Sequence, residues 1–202
     1  LNVSPLYSPN ITDWISAASV VNKPLSVSEW NNEPFPADDR HTTPIWMAAK
    51  GLHQGWDSLL QYAYAQEGMN GGPWITASNW HAYTDPSLLA TMPAAALMFR
   101  RGDAREGSSA LIYTPSAQDL FNTEISPWHT PAIRTGSEKY KVQTAMPSVK
   151  ELPWLNPSAI PPNSSVFANK NALLVAPDQL EASSDTQELT RNWDQGTYKV
   201  DT

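Results

Sequence analysis

The chain of 202 residues carries a net charge of −7, has no cysteine, and contains no apolar run near the about 20 residues needed to span a bilayer as a helix. That excludes disulfides, zinc–thiolate sites and thiol catalysis, and it offers neither a membrane span nor a basic surface for nucleic-acid phosphates. Nine Trp and eighteen Pro beside only nine Gly fit neither a disordered chain nor a simple helical bundle, and each Trp has two uses open to it, sugar stacking or packing in core and seams.

Leu1 is followed by neither a basic n-region nor an apolar h-region, so the chain is expected to begin inside a longer protein. After Ser8 and Pro9, the residues Ile11, Trp14, Ile15, Ala18 and Val21 recur at helical spacing and predict a helix. KPLSVSEW reads as a short strand, on which a period of two places Leu25, Val27 and Glu29 on one face. Thr43 as N-cap, Pro44 at the first helical position and a stripe of Ile45, Ala48, Ala49, Leu52 and Trp56 predict a second helix ending near Gly55. SLLQYAYA, apolar and too short for a typical helix, predicts a second strand before a long polar loop. Asp85 and Pro86 repeat the helix-start signal. Pro93 is expected to restart that helix one turn later by restricting Met92, and Arg100, Arg101 and Gly102 mark its end.

This order implies two parallel strands joined by a right-handed helical crossover. Two strands do not close a parallel sheet. After Gly102 the short runs SSALIYT, EKYKVQT, ALLVAP and TYKVDT predict antiparallel β structure, with ELTRNW and DQG leading into a terminal hairpin. PWLNPSAIPPNSS is a proline-rich tract between them.

Glu29 is the most informative carboxylate, because it closes a strand just before the polar NNEP loop. At the mouth of a (β/α)8 barrel such a carboxylate attacks an anomeric carbon from one face of a sugar. The alternative is a strand-end Glu that caps a helix or pairs with an Arg. Glu33 and Glu67 read as solvated loop acids. The loop AQEGMNGGPWITASNWHAYTD is long for a strand-to-helix connection, and its Trp74, Trp80, His81 and Tyr83 suit either sugar contact or loop packing. His41, His53, His81 and His129 are scattered, without an HExxH pair or an Asp cluster, so no metal is expected, and His53 reads as a surface or seam residue. No GxSxG, P-loop or GxGxxG motif calls for a serine nucleophile, a nucleotide or another cofactor.

KPLSVSEWNNEPFP, WMAAKGLHQGWDSLLQYAYA and DPSLLATMPAAALMFRRGD together resemble the seventh strand through the eighth helix of clan A glycoside hydrolases, particularly their β-galactosidase, agarase and cellulase-like branches. The likeness runs from Lys23 to Asp103. SSDTQELTRNWDQGTYKVDT is similar to a segment of the β-domain appended to some of these barrels. The resemblance implies an α/β fold in which residues 1–103 are the C-terminal portion of a (β/α)8 TIM barrel and residues 104–202 are part of an antiparallel β-rich accessory domain. It implies a retaining glycoside hydrolase in a secreted or periplasmic setting, cleaving β-glycosidic bonds of a poly- or oligosaccharide with Glu29 as nucleophile. Asn31, Tyr64 (less so Tyr62), Trp74, Trp80 and His81 would then contact the carbohydrate. The acid/base glutamate would belong to a missing N-terminal barrel segment, so this chain alone is expected to be inactive. A non-catalytic carbohydrate-binding module and a degenerate barrel kept for structure are the rival readings, although strand–helix alternation is unusual in such modules.

Overall fold

The computed structural model describes residues 4, 6–7, 15–32, 38–66, 80–121, 130–147 and 160–202. Helix α1 (Thr43–Gln54) joins β1 (Ser26–Trp30) to β2 (Ser58–Gln61), and the two strands pair in parallel as expected. Helix α2 (Pro86–Arg101) follows and packs beside α1. Of the first expected helix, Ile15 and Ser16 are helical, whereas Ile11 and Trp14 lie outside the described residues.

Along the parallel pair Val27 stands opposite Leu59 but Trp30 opposite Gln61, so three steps on β1 match two on β2. This bulge overturns the expected sharing of one face by Val27 and Glu29. Val27 and Trp30 are buried in a cluster with Ile15, Met47 and Trp56, while Ser28 and Glu29 between them are exposed. An inserted residue breaks the period of two, and the indole rather than the carboxylate takes the next inward place.

Two helix boundaries also differ from expectation. A 3-10 turn, Arg40–Thr42, runs directly into α1, so Thr43 is already helical and its hydroxyl accepts from Asn32 Nδ2 at 3.1 Å instead of capping. In α2, Asp85 does cap, accepting from the Ser87 and Leu88 amides, and Gly102 closes the helix at φ 69°. Pro93, however, does not restart it. The helix runs through Pro93 on its exposed side, where one missing backbone bond is tolerated because both flanking turns pack on α1.

Beyond Gly102 the expectation of wholly antiparallel structure fails. Strands β3 (Ala110–Tyr113), β4 (Lys141–Thr144) and β5 (Ser164–Phe167) form a parallel sheet in the order β4–β3–β5, with α3 (Ala117–Phe121) and α4 (Pro131–Gly136) lying between β3 and β4 in the chain. Leu111, Ile112 and Tyr113 are all buried, so both faces of the central strand are covered. Such an unbroken apolar run belongs to a parallel strand. ALLVAP is not a strand, and its Leu174 amide donates to Thr135 Oγ1 at 2.9 Å instead of to a sheet neighbour. The terminal hairpin does form. Strands β6 (Glu181–Ser183), β7 (Leu189–Asn192) and β8 (Thr197–Val200) make an antiparallel meander, in which Gly196 takes φ 61° in the β7–β8 turn. The fold is mixed α/β, and no closed barrel forms among the described residues.

Contacts across the position after Asp103 centre on α1, which is buried nearly all round. Gly51 sits where an added Cβ would lie 2.8 Å from Leu59, so the helix approaches β2 closely. On another side Ala49 packs with Ala104 and Leu189, and Trp46 meets Tyr198 edge-on. The last turn of α1 is polar and buried. Gln54 Nε2 donates to Tyr140 O at 2.7 Å and its Oε1 accepts the Val142 amide at 3.0 Å, as a neighbouring backbone strand would. Lys50 donates to Ser137 O. His53 Nε2 donates to Asp185 Oδ1 at 3.0 Å, because an ionised carboxylate can only accept. Residues 19–21 add to the same β4 edge, with a parallel bridge from Val20 to Thr144.

Two outcomes follow. Gln54→Leu leaves the Val142 amide and the Tyr140 carbonyl buried without partners, which should lower stability by about 2–5 kcal/mol in urea unfolding. Burial lowers the His53 pKa against the opposing pull of the Asp185 hydrogen bond. His53 therefore stays neutral in the fold while the unfolded chain takes up its proton as pH falls through about 6.5, so the folded state loses stability below that pH. His53→Gln, which keeps a donor for Asp185 but does not titrate, should flatten the fall in unfolding midpoint between about pH 6.5 and 5. An unchanged pH profile would rule out this linkage.

Candidate active site

The carboxyl ends of β1 and β2 gather most of the residues singled out in the sequence. Glu29 is exposed, one residue before the buried Trp30 that anchors the strand end. Beyond Gln61 the chain keeps pairing with its neighbours. Tyr62 N–H donates to Trp30 O at 2.9 Å, Ala63 N–H to Trp80 O at 2.9 Å, and Ala82 N–H returns to Ala63 O at 3.0 Å. The segment 62–64 is thereby held between the end of β1 and residues 80–83.

That short ladder carries a row of rings. Tyr62 meets Trp80 edge-on at 5.9 Å, His81 lies 5.2 Å from Tyr83, and Tyr83 lies 6.2 Å from Tyr64. Tyr64 is 59% exposed and presents an aromatic surface to solvent, whereas His81 is 3% exposed. His81 Nε2 and Thr84 Oγ1 are buried polar atoms without a hydrogen-bond partner among the described residues. Trp74, Glu33 and Glu67 lie outside the described residues.

Asn31 is buried and faces inward. Its Nδ2 donates to Tyr62 O and, at 3.1 Å, to Trp80 O, while its Oδ1 accepts from the Asn32 amide at 2.8 Å and from Arg40 Nη2 at 3.1 Å. The structure thus engages Asn31 in tying both strand ends to the loop.

Sequence reading passed over the group behind it. Arg40, itself buried, donates from Nε to Asn32 O at 3.0 Å and forms an ion pair with Asp85, both side chains being 3% exposed. Burial pushes the Asp85 carboxyl up, but bonds from Ser87, the Leu88 amide and Arg40 outweigh it and hold the group below its ordinary range. One guanidinium therefore joins the end of β1, the carbonyl after it and the start of α2. The Asp85–Pro86 pair was visible as a helix start, but nothing in DDRHTTP marks Arg40 as its partner, because the contact spans 45 residues.

Chemically, the strand end offers an exposed carboxylate on a rigid support, with aromatic faces able to stack on the C–H face of a sugar and indole or phenol edges able to bond hydroxyls. Among the described residues no group of three His, Asp or Glu is placed to hold a metal ion. No described helix is long and apolar enough to cross a membrane. Compared with known proteins, the chain matches no family model, no curated protein and no solved structure.

Removing the guanidinium leaves the buried Asp85 charge with only its capping bonds from Ser87 and the Leu88 amide. Arg40→Met should therefore cost about 3–5 kcal/mol, measured by chemical unfolding. A loss below about 1 kcal/mol would mean that the pair is solvated and does not organise the strand ends.

Proposed function

We propose that this chain is part of a retaining glycoside hydrolase, with Glu29 as the nucleophile. The observation that carries the reading is the position of Glu29, exposed at the carboxyl end of a parallel strand whose buried face is covered by helices, where (β/α)8 enzymes hold their reacting groups. In this reading Glu29 attacks the anomeric carbon of a β-linked sugar as the glycosidic bond breaks and a separate carboxylic acid protonates the departing oxygen. Water then cleaves the glycosyl ester, giving its proton to that same group and restoring Glu29. Tyr64, Trp80 and His81 serve the sugar at this end of the strands, and Asn31 holds the ends in register.

The acid/base belongs to another barrel strand. Among the described residues no further strand flanks the parallel pair on either side, and Leu60 on β2 is 56% exposed. A cavity of about 220 Å³ between α1, α2 and β2 is lined by Met47, Leu59, Met92 and Phe99, and the buried Trp30 Nε1 and Gln61 Nε2 beside it have no partner among the described residues. Apolar walls with unmet donors suit coverage by a further strand of a (β/α)8 barrel.

In the intact enzyme, Glu29→Gln should remove most turnover with little change in unfolding midpoint, and a mechanism-based fluoro-sugar should label Glu29, as read by peptide mapping. A label on a different carboxylate would overturn the assignment. The exposed Tyr64 ring also suits a non-catalytic sugar platform, which would show itself as saccharide binding with no label at all.

A further inference from the structure

A second cleft lies away from the strand ends, where the parallel sheet unit meets the antiparallel meander. It has a volume of about 420 Å³ and is lined by Tyr7, Trp193, Leu173, Arg134, Glu138 and Gln179 among others. That size falls within the range of small-ligand sites, as does the mixture of aromatic and apolar walls with a few polar groups.

Both aromatic walls are held from behind. Trp193 is braced by Arg191, whose guanidinium lies 5.8 Å from its ring and 5.6 Å from that of Trp46. Tyr7 lies directly over Gly196, where an added Cβ would come within 2.3 Å of Tyr7 Cζ, and yet the ring remains 55% exposed. The glycine permits the close approach that sets the ring at the cleft edge.

The charges on the lining are unequal. Glu138 is bound by Arg191 Nη1 at 2.8 Å and faces Lys50 Nζ at 3.8 Å, so its charge is met inside the protein. Arg134, in contrast, is exposed and makes no ion pair among the described residues. Gln179 donates one N–H of Nε2 to Glu181 O at 2.6 Å, which fixes its amide at the cleft wall and leaves a second N–H and Oε1 for bonding. On a chain of net charge −7, the cleft thus presents, among the described residues, a cation without an ion-pair partner beside two aromatic faces.

We propose that this cleft binds an acidic sugar residue, its pyranose C–H face against Tyr7 and Trp193 and its carboxylate or sulfate on the Arg134 guanidinium. An aromatic face matches the apolar side of a pyranose, the planar guanidinium fork matches an oxyanion, and the Gln179 amide can bond a ring hydroxyl. The choice of a sugar rests on the saccharide reading above, whereas the cleft itself does not involve Glu29. It is a binding site separate from the reacting strand ends, suited to holding a charged chain while another part of it is cut.

The test is calorimetric titration of the Glu29→Gln protein, which leaves a bound chain uncut, with β-(1→4)-linked trimannuronate and with β-(1→4)-mannotriose as its neutral counterpart. Trimannuronate should bind more tightly than mannotriose, and its affinity should weaken with added salt and fall at least about tenfold in Arg134→Ala and in Tyr7→Ala, because a charged hydrogen bond is lost in the first and a stacking face in the second. Leu97→Ala, at an exposed position of α2 away from both sites, should leave it unchanged. Arg134 and Tyr7 are exposed, so both variants retain the fold. Failure of trimannuronate to bind, binding no tighter than that of mannotriose, or affinity lost in Tyr64→Ala but kept in Arg134→Ala, would overturn the proposal. Labelling of Glu29 by the fluoro-sugar is read separately, so a cleft that fails leaves the hydrolase reading intact, and a cleft that binds in a protein whose Glu29 takes no label stands without it.

Discussion

The side-chain amide of Gln54 lies along β4 as a strand of backbone would, giving to one peptide group and receiving from another. A sheet edge inside a protein must find such partners or lose the hydrogen bonds it had with water. Because the amide comes from the end of α1, the helix that crosses from β1 to β2 is tied to the parallel sheet that begins 56 residues later in the chain. The neighbouring turns repeat the pattern with other chemistry. Lys50 reaches the Ser137 carbonyl and lies near Glu138, and His53 reaches Asp185, whose second oxygen accepts from Ser108 Oγ at 2.7 Å and the Ser109 amide at 2.9 Å. Burial alone would raise Asp185, but these bonds together hold its carboxyl below the ordinary range.

Such a seam differs from a purely apolar one in what it specifies. Apolar contacts between Ala49, Ala104 and Leu189 supply close packing but tolerate sliding, whereas an amide that must meet one N–H and one carbonyl admits one register. Arg191 extends the same constraint to the meander. It lies buried between the rings of Trp46 and Trp193 and bonds Glu138, so a single cation connects α1, β7 and the residues that follow α4. The walls of the second cleft are therefore set by the interior network that also fixes the meander.

At the strand ends a different device operates. The bulge in β1 lets Trp30 bury its indole while Glu29 stays in solvent, and Asn31 with Arg40 then joins the ends of both strands to the start of α2. An exposed carboxylate is held by residues that are almost wholly buried. Reactive groups need this kind of support, because a side chain on an unsupported loop does not keep its aim.

The residues alone determined the elements whose signals are local. Asp85 followed by Pro86, and Gly102 after two arginines, mark helix ends through orphan backbone groups that near neighbours satisfy, and the DQG turn between ELTRNW and TYKVDT marks a hairpin for the same reason. The position of Glu29 at a strand end was also legible, since it needs only the limits of β1. Its orientation was not, because a bulge is defined by the partner strand and leaves no mark in SVSEW itself. Tertiary structure also decided that ALIY and KVQT lie parallel rather than antiparallel, although the unbroken burial of Leu111, Ile112 and Tyr113 accords with their apolar run. It decided that His53 and Gln54 are buried joints and that Arg40 meets Asp85, contacts between residues 132, 86 or 88, and 45 positions apart. No periodicity within a segment encodes such a contact, since it depends on which surfaces meet once the helices and strands have packed.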